Sequence, residues 1–276
     1  MKFNFLLLFL FSISCYAQTY RFIYEYHFKK DSTSKEYSKE NMVLDINDKT
    51  SKFYSYRYII NDSISKNKGI ENIVWYNLPA LSHNKKSQIN QSFFEIGTDF
   101  FVIESKDNIQ WTILNEIKDF NGVKAQKAIA KFGGRDWIAW FSDEFPFWDG
   151  PYKFRGLPGL IIEIKDTQNN FIFSLVENKI LNQPFNTQNF LETIGGQNPI
   201  KIDETILKKK RIEHFNSPFN YLKEQLKNNK GTTIIMFGKP VKTAQEMREF
   251  EKREQERIIK ENNPIELDKI IHYQIQ

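Results

Sequence analysis

Fifteen residues near the middle of the chain constrain its fold most, because they combine glycine and proline with a run of branched apolar side chains. Residues 150–164 read GPYKFRGLPGLIIEI. Glycine permits positive φ and close backbone approach, while proline fixes φ and removes a hydrogen-bond donor. The segment therefore predicts one particular backbone path, a structural turn that leads into a strand. The residues predicted to shape this turn are Gly150, Pro151, Gly156, Pro158 and Gly159.

The first 17 residues have the layout of a secretory signal peptide. Lys2 precedes an unbroken apolar run at residues 5–11, and small residues lead up to Ala17. This order of charge, apolar run and small residues predicts cleavage after Ala17. The run is too short to span a bilayer, which needs about 20 apolar residues. We expect an exported protein of the periplasm or the outer membrane, with secretion as an alternative, and no transmembrane span in the mature chain.

Cys15 is the only cysteine, so cleavage after residue 17 leaves no thiol for disulfides, nucleophilic catalysis or metal binding. In a second interpretation, Cys15 is lipidated and tethers the protein to a membrane. The four histidines are scattered, and no phosphate-loop, dinucleotide or zinc-protease motif occurs. We therefore predict no catalytic residue, metal or cofactor. The formal net charge of +5 does not indicate nucleic-acid binding.

Aromatic and polar residues alternate from Tyr20 to Phe28, which is typical of a half-buried strand. Strands that follow one another at short spacing, without helices between them, predict an antiparallel meander. Further strands are predicted at residues 42–46, 51–60, 72–76, 92–96, 100–104, 109–114, 123–132, 137–141, 161–165 and 171–176.

Residues 18–240 are predicted to form one β-rich domain, with helical segments near 203–226. A charged C-terminal helix is predicted at 243–261, followed by a tail at 262–276. That helix is supported by i,i+4 ion pairs and has a narrow apolar stripe, so we expect it to rest lightly on the body or to project from it. The predicted fold class is mainly β with α, a bent antiparallel sheet or half-barrel with C-terminal helices.

Eight aromatic residues crowd into residues 137–154. They either form a platform for a sugar, a lipid chain or a peptide, or fill the core beneath the sheet. The candidate ligand-binding residues are Trp137, Trp140, Trp148 and Tyr152. Because alternate residues of a strand share a face, Trp137 and Trp140 are expected on opposite faces, both covered.

Carboxylates at Asp143, Glu144 and Asp149 allow an alternative interpretation as a hydrolase. A glycosidase needs two carboxyl groups about 5 to 10 Å apart in a groove. Adjacent residues of an extended segment point to opposite sides, so Asp143 and Glu144 cannot both line one cleft there. The basic run at residues 208–211 predicts a solvated helix face or a contact with an anionic membrane or glycan.

The hexapeptide Gly-Leu-Pro-Gly-Leu-Ile at residues 156–161, with Gly-Pro-Tyr-Lys-Phe at 150–154, resembles the GLPGLI family. These are exported proteins of Gram-negative bacteria whose biochemical role is unassigned. The segment GGRDWIAWF at 133–141 is similar to the same family. The resemblance implies export and a β-rich fold over most of the mature chain, and it implies no reaction.

The predicted architecture is similar, by analogy alone, to the curved half-barrel of periplasmic lipoprotein carriers. We expect a non-enzymatic envelope protein that binds an apolar or amphipathic ligand or an outer-membrane protein. The partner classes are therefore a lipid, a glycan or an outer-membrane protein. The alternatives are a hydrolase acting on envelope glycan or peptide, and an assembly partner of an outer-membrane complex that uses the helix at 243–261.

Overall fold

The computed structural model describes residues 18–69, 75–194, 196–228, 231, 233–243 and 245–275. The signal-peptide prediction and Cys15 lie outside these residues. Twelve strands form one sheet. They are β1 (Thr19–Phe28), β2 (Ser38–Ile46), β3 (Thr50–Ser55), β4 (Leu81–Asn84), β5 (Ile89–Ile96), β6 (Asp99–Ser105), β7 (Thr112–Phe120), β8 (Val123–Phe132), β9 (Arg135–Ser142), β10 (Leu160–Asp166), β11 (Phe171–Leu181) and β12 (Ile200–Lys201).

Of the remaining elements, the first helix and a π-helical turn lie between strands of the sheet, and the others follow β12. They are α1 (Arg57–Lys68), a π-helical turn (Gln188–Glu192), α2 (Glu204–Asn216), α3 (Asn220–Asn228), a hairpin of β13 (Ile234–Met236) and β14 (Lys239–Val241), α4 (Arg248–Lys260) and a 3-10 turn (Leu267–Lys269). The prediction of a mainly β fold, an open bent sheet with C-terminal helices, is confirmed.

Two antiparallel meanders make up the sheet, β1 to β6 and β7 to β11, and they join where β1 pairs with β11. The strand order is β12-β6-β5-β4-β3-β2-β1-β11-β10-β9-β8-β7. The two-residue strand β12 pairs with β6 in parallel, an exception to the predicted antiparallel pairing.

The connection from β6 to β7 requires the sheet to bend. These strands are ten positions apart in the strand order, which would be about 48 Å in a flat sheet. The chain from Ser105 to Thr112 can span at most about 25 Å, so the two strands must approach each other. We call the face crossed by this connection the inner face. Ile109 is buried within it.

The inner face carries the larger core. Tyr24, Phe53 and Phe173 are fully buried there. Each lies on a strand whose alternate residues face this side of the sheet. Three chain segments cover this face, namely residues 106–111, the loop at 143–159 and the C-terminal residues 262–271. Each large apolar side chain that is fully buried contributes about 1.5 to 3 kcal/mol, so this core supplies much of the stability.

The outer face shows where one strand prediction was wrong. The segment predicted as a strand at 51–60 is β3 only to Ser55, and α1 begins at Arg57. Ser55 Oγ accepts a hydrogen bond from Arg57 N (3.2 Å), and the Tyr58 ring stacks on Phe190 with centroids 5.4 Å apart. The helix places Tyr58 in the core on the outer face. The alternating tyrosines of this segment therefore belong to a strand followed by a helical turn, and not to one strand.

The strand predictions at 109–114 and 72–76 need correction. Strand β7 begins only at Thr112 and continues to Phe120. Most of the segment predicted at 72–76 lies outside the described residues, and Trp75 and Tyr76 are not in a strand. Strand β4 was not predicted, because Leu81 is its only apolar residue, so the strand has no alternation of apolar and polar side chains. Its two neighbours, β3 and β5, supply the pairing that local sequence does not indicate.

The C-terminal helices share a small core with the β13–β14 hairpin. Its buried residues are Leu226, Met236, Val241, Met247 and Phe250. Helix α4 begins later than predicted and does not project, because Met247 and Phe250 anchor its first turn. No helix in the described ranges is long and apolar enough to cross a membrane.

Candidate functional site

The predicted structural turn lies in the loop at 143–159, where two glycines have no room for a side chain. Gly159 has φ +153°, and a Cβ there would lie 2.3 Å from the Ser142 carbonyl oxygen. A Cβ at Gly150 would lie 2.7 Å from Ile161 Cδ1. The loop therefore packs its own backbone against the ends of β9 and β10.

Backbone hydrogen bonds hold this loop along β10. Leu160 N donates to Phe145 O (3.1 Å), and Ile161 N donates to Asp149 O (3.2 Å). A tighter turn follows at Pro151, whose carbonyl accepts from Phe154 N (3.1 Å). Gly156, with φ +95°, and Pro158 complete the path before the chain enters β10. These contacts fix the backbone path of the loop, and none of them presents a reactive group.

The four candidate ligand-binding aromatics do not converge. Trp137 is buried on the inner face, where its Nε1 donates to Phe132 O (3.0 Å) and its ring lies 4.5 Å from Phe154. Trp140 is buried on the outer face beneath Phe120. The expectation that they lie on opposite covered faces matches this geometry.

The other two aromatics differ in exposure. Trp148 is 70% exposed at the loop surface. Tyr152 is partly buried, with a left-handed backbone (φ +56°), and its hydroxyl donates to Glu266 Oε1 (2.5 Å). Burial is the main reason that the pKa of Tyr152 is raised well above its usual value, and the Glu266 charge adds to it. The Tyr152 hydroxyl thus hydrogen-bonds to an acidic side chain, and the ring does not form an aromatic platform with the other three candidates.

The carboxylates of the hydrolase alternative are also separated. Asp143 and Glu144 are exposed, and Glu144 Oε1 accepts from Lys124 N (3.0 Å). Asp149 is buried and accepts from Ser51 Oγ (2.8 Å). Because Ser51 lies on β3, this contact joins the loop to a strand four positions from β10 in the sheet.

A cluster of buried and partly buried polar and charged side chains, within and beneath the loop, was not predicted. We call it the inner charge cluster, and its members are His83, Asn90, Asp107, Asp149, Lys153, Arg155 and Glu266. Lys153 Nζ lies 2.8 Å from Glu266 Oε1 and 3.4 Å from Asp107 Oδ1. The sequence signal for it is that Lys153 and Arg155 interrupt an aromatic, Gly/Pro-rich segment, while their partners lie far away in the chain.

Arg155 connects this cluster to β4 and β5. Its Nη1 donates to His83 Nδ1 (2.7 Å) and to Asn90 Oδ1 (2.5 Å). His83 Nδ1 also lies 3.0 Å from Asn90 Oδ1. Burial, reinforced by the Arg155 charge, lowers the pKa of His83 to about 4. Arg155 Nε is buried without a hydrogen-bond partner among the described residues.

His83 should make the fold sensitive to mild acid. Its folded pKa lies below the unfolded value of about 6.5, so only the unfolded chain gains this proton between those two values. Stability should therefore fall as the pH drops from about 6.5 to 4, by up to about 3 kcal/mol. Urea denaturation at pH 7 and pH 4.5 measures this loss. His83→Gln should reduce it, and an equal loss in that variant would contradict the assignment.

The structure also contains a cleft of about 350 Å³ on the outer side of the β5–β6 turn. It is lined by Trp75, Asn77, Glu95, Gly97, Thr98, His214, Pro218, Phe219, Tyr221 and Leu222. The volume is at the lower end of the range for small-molecule sites. Sequence reasoning missed this cleft, since its walls come from three separate segments.

The cleft combines aromatic side chains with two titratable groups, Glu95 and His214. Trp75 packs on Phe100 with centroids 5.1 Å apart, and Tyr221 is 58% exposed. Burial raises the pKa of Glu95, and this carboxylate forms no ion pair with the described residues. Burial is also the main cause of the lowered pKa of His214. The arrangement offers aromatic surface together with a carboxylate that is available to accept hydrogen bonds.

A second cleft, of about 310 Å³, lies near the start of α1. Its carboxylates are already paired, Glu40 with Arg57 and Glu25 with Lys39. It therefore offers fewer unsatisfied groups to a ligand. In the described ranges, no group of three or more His, Cys, Asp or Glu side chains is arranged to hold a metal ion.

Comparison with known proteins gives a partial family match and a distant structural likeness. Residues 100–163 match the family model described as "Protein of unknown function (Porph_ging)". No curated protein matches the chain.

Among solved structures, the chain is similar to "Structure of PNGF-II in C2 space group", with TM-score 0.51, 15% identity and coverage of 70% of this chain and 32% of that one. For "Structure of PNGF-II in P21 space group" the TM-score is 0.50, the identity 14%, and the coverage 70% and 33%. The chain spans about a third of the length of these structures. At this identity the likeness concerns the fold alone.

Proposed function

We propose that the protein is an exported, non-enzymatic binding protein of the cell envelope that takes a small amphipathic ligand in the cleft beside the β5–β6 turn. The observation that carries this proposal is the Glu95 carboxylate, which lies in the cleft without an ion pair among the described residues, next to exposed aromatic surface at Tyr221. Small-molecule sites combine apolar walls with a few polar groups that orient the ligand. A ligand with one apolar face and hydroxyl or amine donors matches this chemistry.

The filled inner face favours the outer cleft over the concavity that the carrier analogy suggests. The inner core is occupied by the protein's own side chains, including Phe154 and Leu157, both buried. A ligand there would have to displace the 143–159 loop, which is held by backbone hydrogen bonds. The outer cleft needs no such rearrangement.

Export and family membership belong to the same proposal. Strand β1 begins at Thr19, two residues after the proposed cleavage site. The hexapeptide at 156–161 lies inside the matched range 100–163, which supports the finer assignment to the GLPGLI family. An intact mass that corresponds to a chain starting at Gln18 would support cleavage, and a retained residue 1 would contradict it.

Native mass spectrometry of protein purified from its own envelope tests the binding site. We expect a co-purifying small molecule on the wild type, and a loss of at least about tenfold in occupancy for Tyr221→Ala and Glu95→Gln, since each removes about 1.4 kcal/mol or more of contact. Arg57→Gln, in the second cleft, is the matched control and should keep full occupancy. Unchanged occupancy in both cleft variants, or no bound molecule in the wild type, would contradict the proposal.

A further inference from the structure

The tip of the β13–β14 hairpin carries an unusually exposed apolar side chain. Phe237 is 80% exposed and Ile235 is 66% exposed, while the residues between and beyond them, Met236 and Val241, face the small core. Phe237 contacts Phe250 with centroids 5.9 Å apart, which holds the ring in place at the surface. The hairpin therefore has an inward apolar face and a separate outward apolar tip.

The turn geometry makes phenylalanine a costly choice at this position. Phe237 and Gly238 form a two-residue loop between Met236 and Lys239, with φ of +49° and +78°. This is a type I′ turn, whose first position favours Asn, Asp or Gly. A bulky residue with positive φ is strained, and such strain is typically retained where the side chain has a role outside the fold.

The charged side chains of the hairpin itself are positive, and the acid beside its end is Glu246, whose Oε2 accepts a hydrogen bond from Lys242 N (2.8 Å). Residues 225–243 contain four lysines and no aspartate or glutamate. Lys239 and Lys242 are exposed on β14 and just after it. Exposed aromatic and aliphatic side chains beside lysines match a bilayer interface, where the rings enter the headgroup region and the ammonium groups meet anionic lipids.

We propose that this hairpin tip, formed by Ile235, Phe237, Lys239 and Lys242, docks the protein on an anionic lipid bilayer surface. A bilayer is the expected partner because the tip is convex and its charged side chains are lysines. This docking surface is separate from the cleft near Tyr221, so either proposal can fail without the other.

Co-sedimentation of the purified protein with lipid vesicles tests the docking. The wild type should bind vesicles of phosphatidylcholine mixed with phosphatidylglycerol, and binding should weaken with added salt. It should bind vesicles of phosphatidylcholine alone far less. Lys239→Gln and Lys242→Gln should each lower the partition coefficient about fivefold.

Phe237→Asn is the decisive variant, because Asn-Gly is a favoured sequence for this turn and the fold should be kept. It should lower the partition coefficient about tenfold or more. Ile117→Asn, at a 67% exposed position on β7, is the matched control and should bind like the wild type. Tyr221→Ala should also leave vesicle binding unchanged.

Three outcomes would overturn the proposal. They are absence of binding to the anionic vesicles, equal binding to neutral and anionic vesicles, and full binding by Phe237→Asn. A tip built for a groove on another protein would give the first of these results.

Discussion

Gly159→Ala is expected to lower the free energy of unfolding by more than about 4 kcal/mol, the largest effect expected for alanine at any glycine that the structure describes. The new Cβ would lie 2.3 Å from Ser142 O and 2.8 Å from Asp143 N. Both contacts are with backbone, so no side-chain rotation can relieve them. Strand β9 or the 143–159 loop would have to move, and either movement disturbs the inner core.

Chemical denaturation followed by tryptophan fluorescence measures this effect. Gly122→Ala is the matched control, because Gly122 also has positive φ (+92°) but a Cβ there would meet no described atom within 4 Å. It should lose only about 1 kcal/mol, which is the cost of the backbone conformation. If the two variants were equally stable, steric exclusion at Gly159 would not be the cause.

Lys153→Met should be the second largest effect, lowering the free energy of unfolding at pH 7 by about 3 to 5 kcal/mol. Lys153 is buried between the carboxylates of Asp107 and Glu266. Burial alone would raise the pKa of each acid, but the Lys153 ammonium reverses this, so both values lie below normal. Removing the ammonium leaves two buried carboxylates whose negative charges are less well compensated.

The pH dependence separates this charge effect from simple loss of packing. In the wild type, the lowered pKa values of Asp107 and Glu266 stabilise the fold above the unfolded values of about 3.9 and 4.3. This contribution is lost as the pH falls through the folded values. In Lys153→Met the acids can be neutralised by protonation, so the difference from wild type should shrink as the pH falls towards 4.

Urea denaturation at pH 7 and pH 4.5 measures this difference. Lys131→Met is the matched control, since Lys131 forms an exposed ion pair with Asp136 and should change stability by less than about 1 kcal/mol. A Lys153→Met penalty that stays constant between the two pH values would show that packing, rather than charge compensation, explains the loss.

Local patterns in the sequence correctly predicted most of the strands and all of the larger helices except α1. The glycine pair at Gly133 and Gly134 has positive φ in the β8–β9 hairpin, as a short turn requires. Asp203 caps α2 by accepting from Ile206 N (2.8 Å). These features depend on residues near one another in the chain, so sequence periodicity and turn chemistry suffice to predict them.

The predictions that failed involve contacts between distant residues. Tyr58 continues the alternation of Tyr54 and Tyr56, yet a helix carries it because Phe190 and Trp75 supply its packing. In the same way, the sequence favours a core role for the aromatics at 137–154 but leaves a binding platform as an alternative. Only their neighbours in space separate Trp137, which is buried, from Trp148, which is exposed.

The sequence alone determined a strand-rich chain with a sharp turn before β10, because alternation, glycine and proline act through local geometry. Tertiary structure decided how the sheet bends, which acids meet Lys153, and that Glu95 lies in a cleft beside Tyr221. These arrangements depend on strand order and on side chains far apart in the chain. Their energies come from exclusion of water and from proximity of charges, and both exist only once the sheet has folded over its own loop.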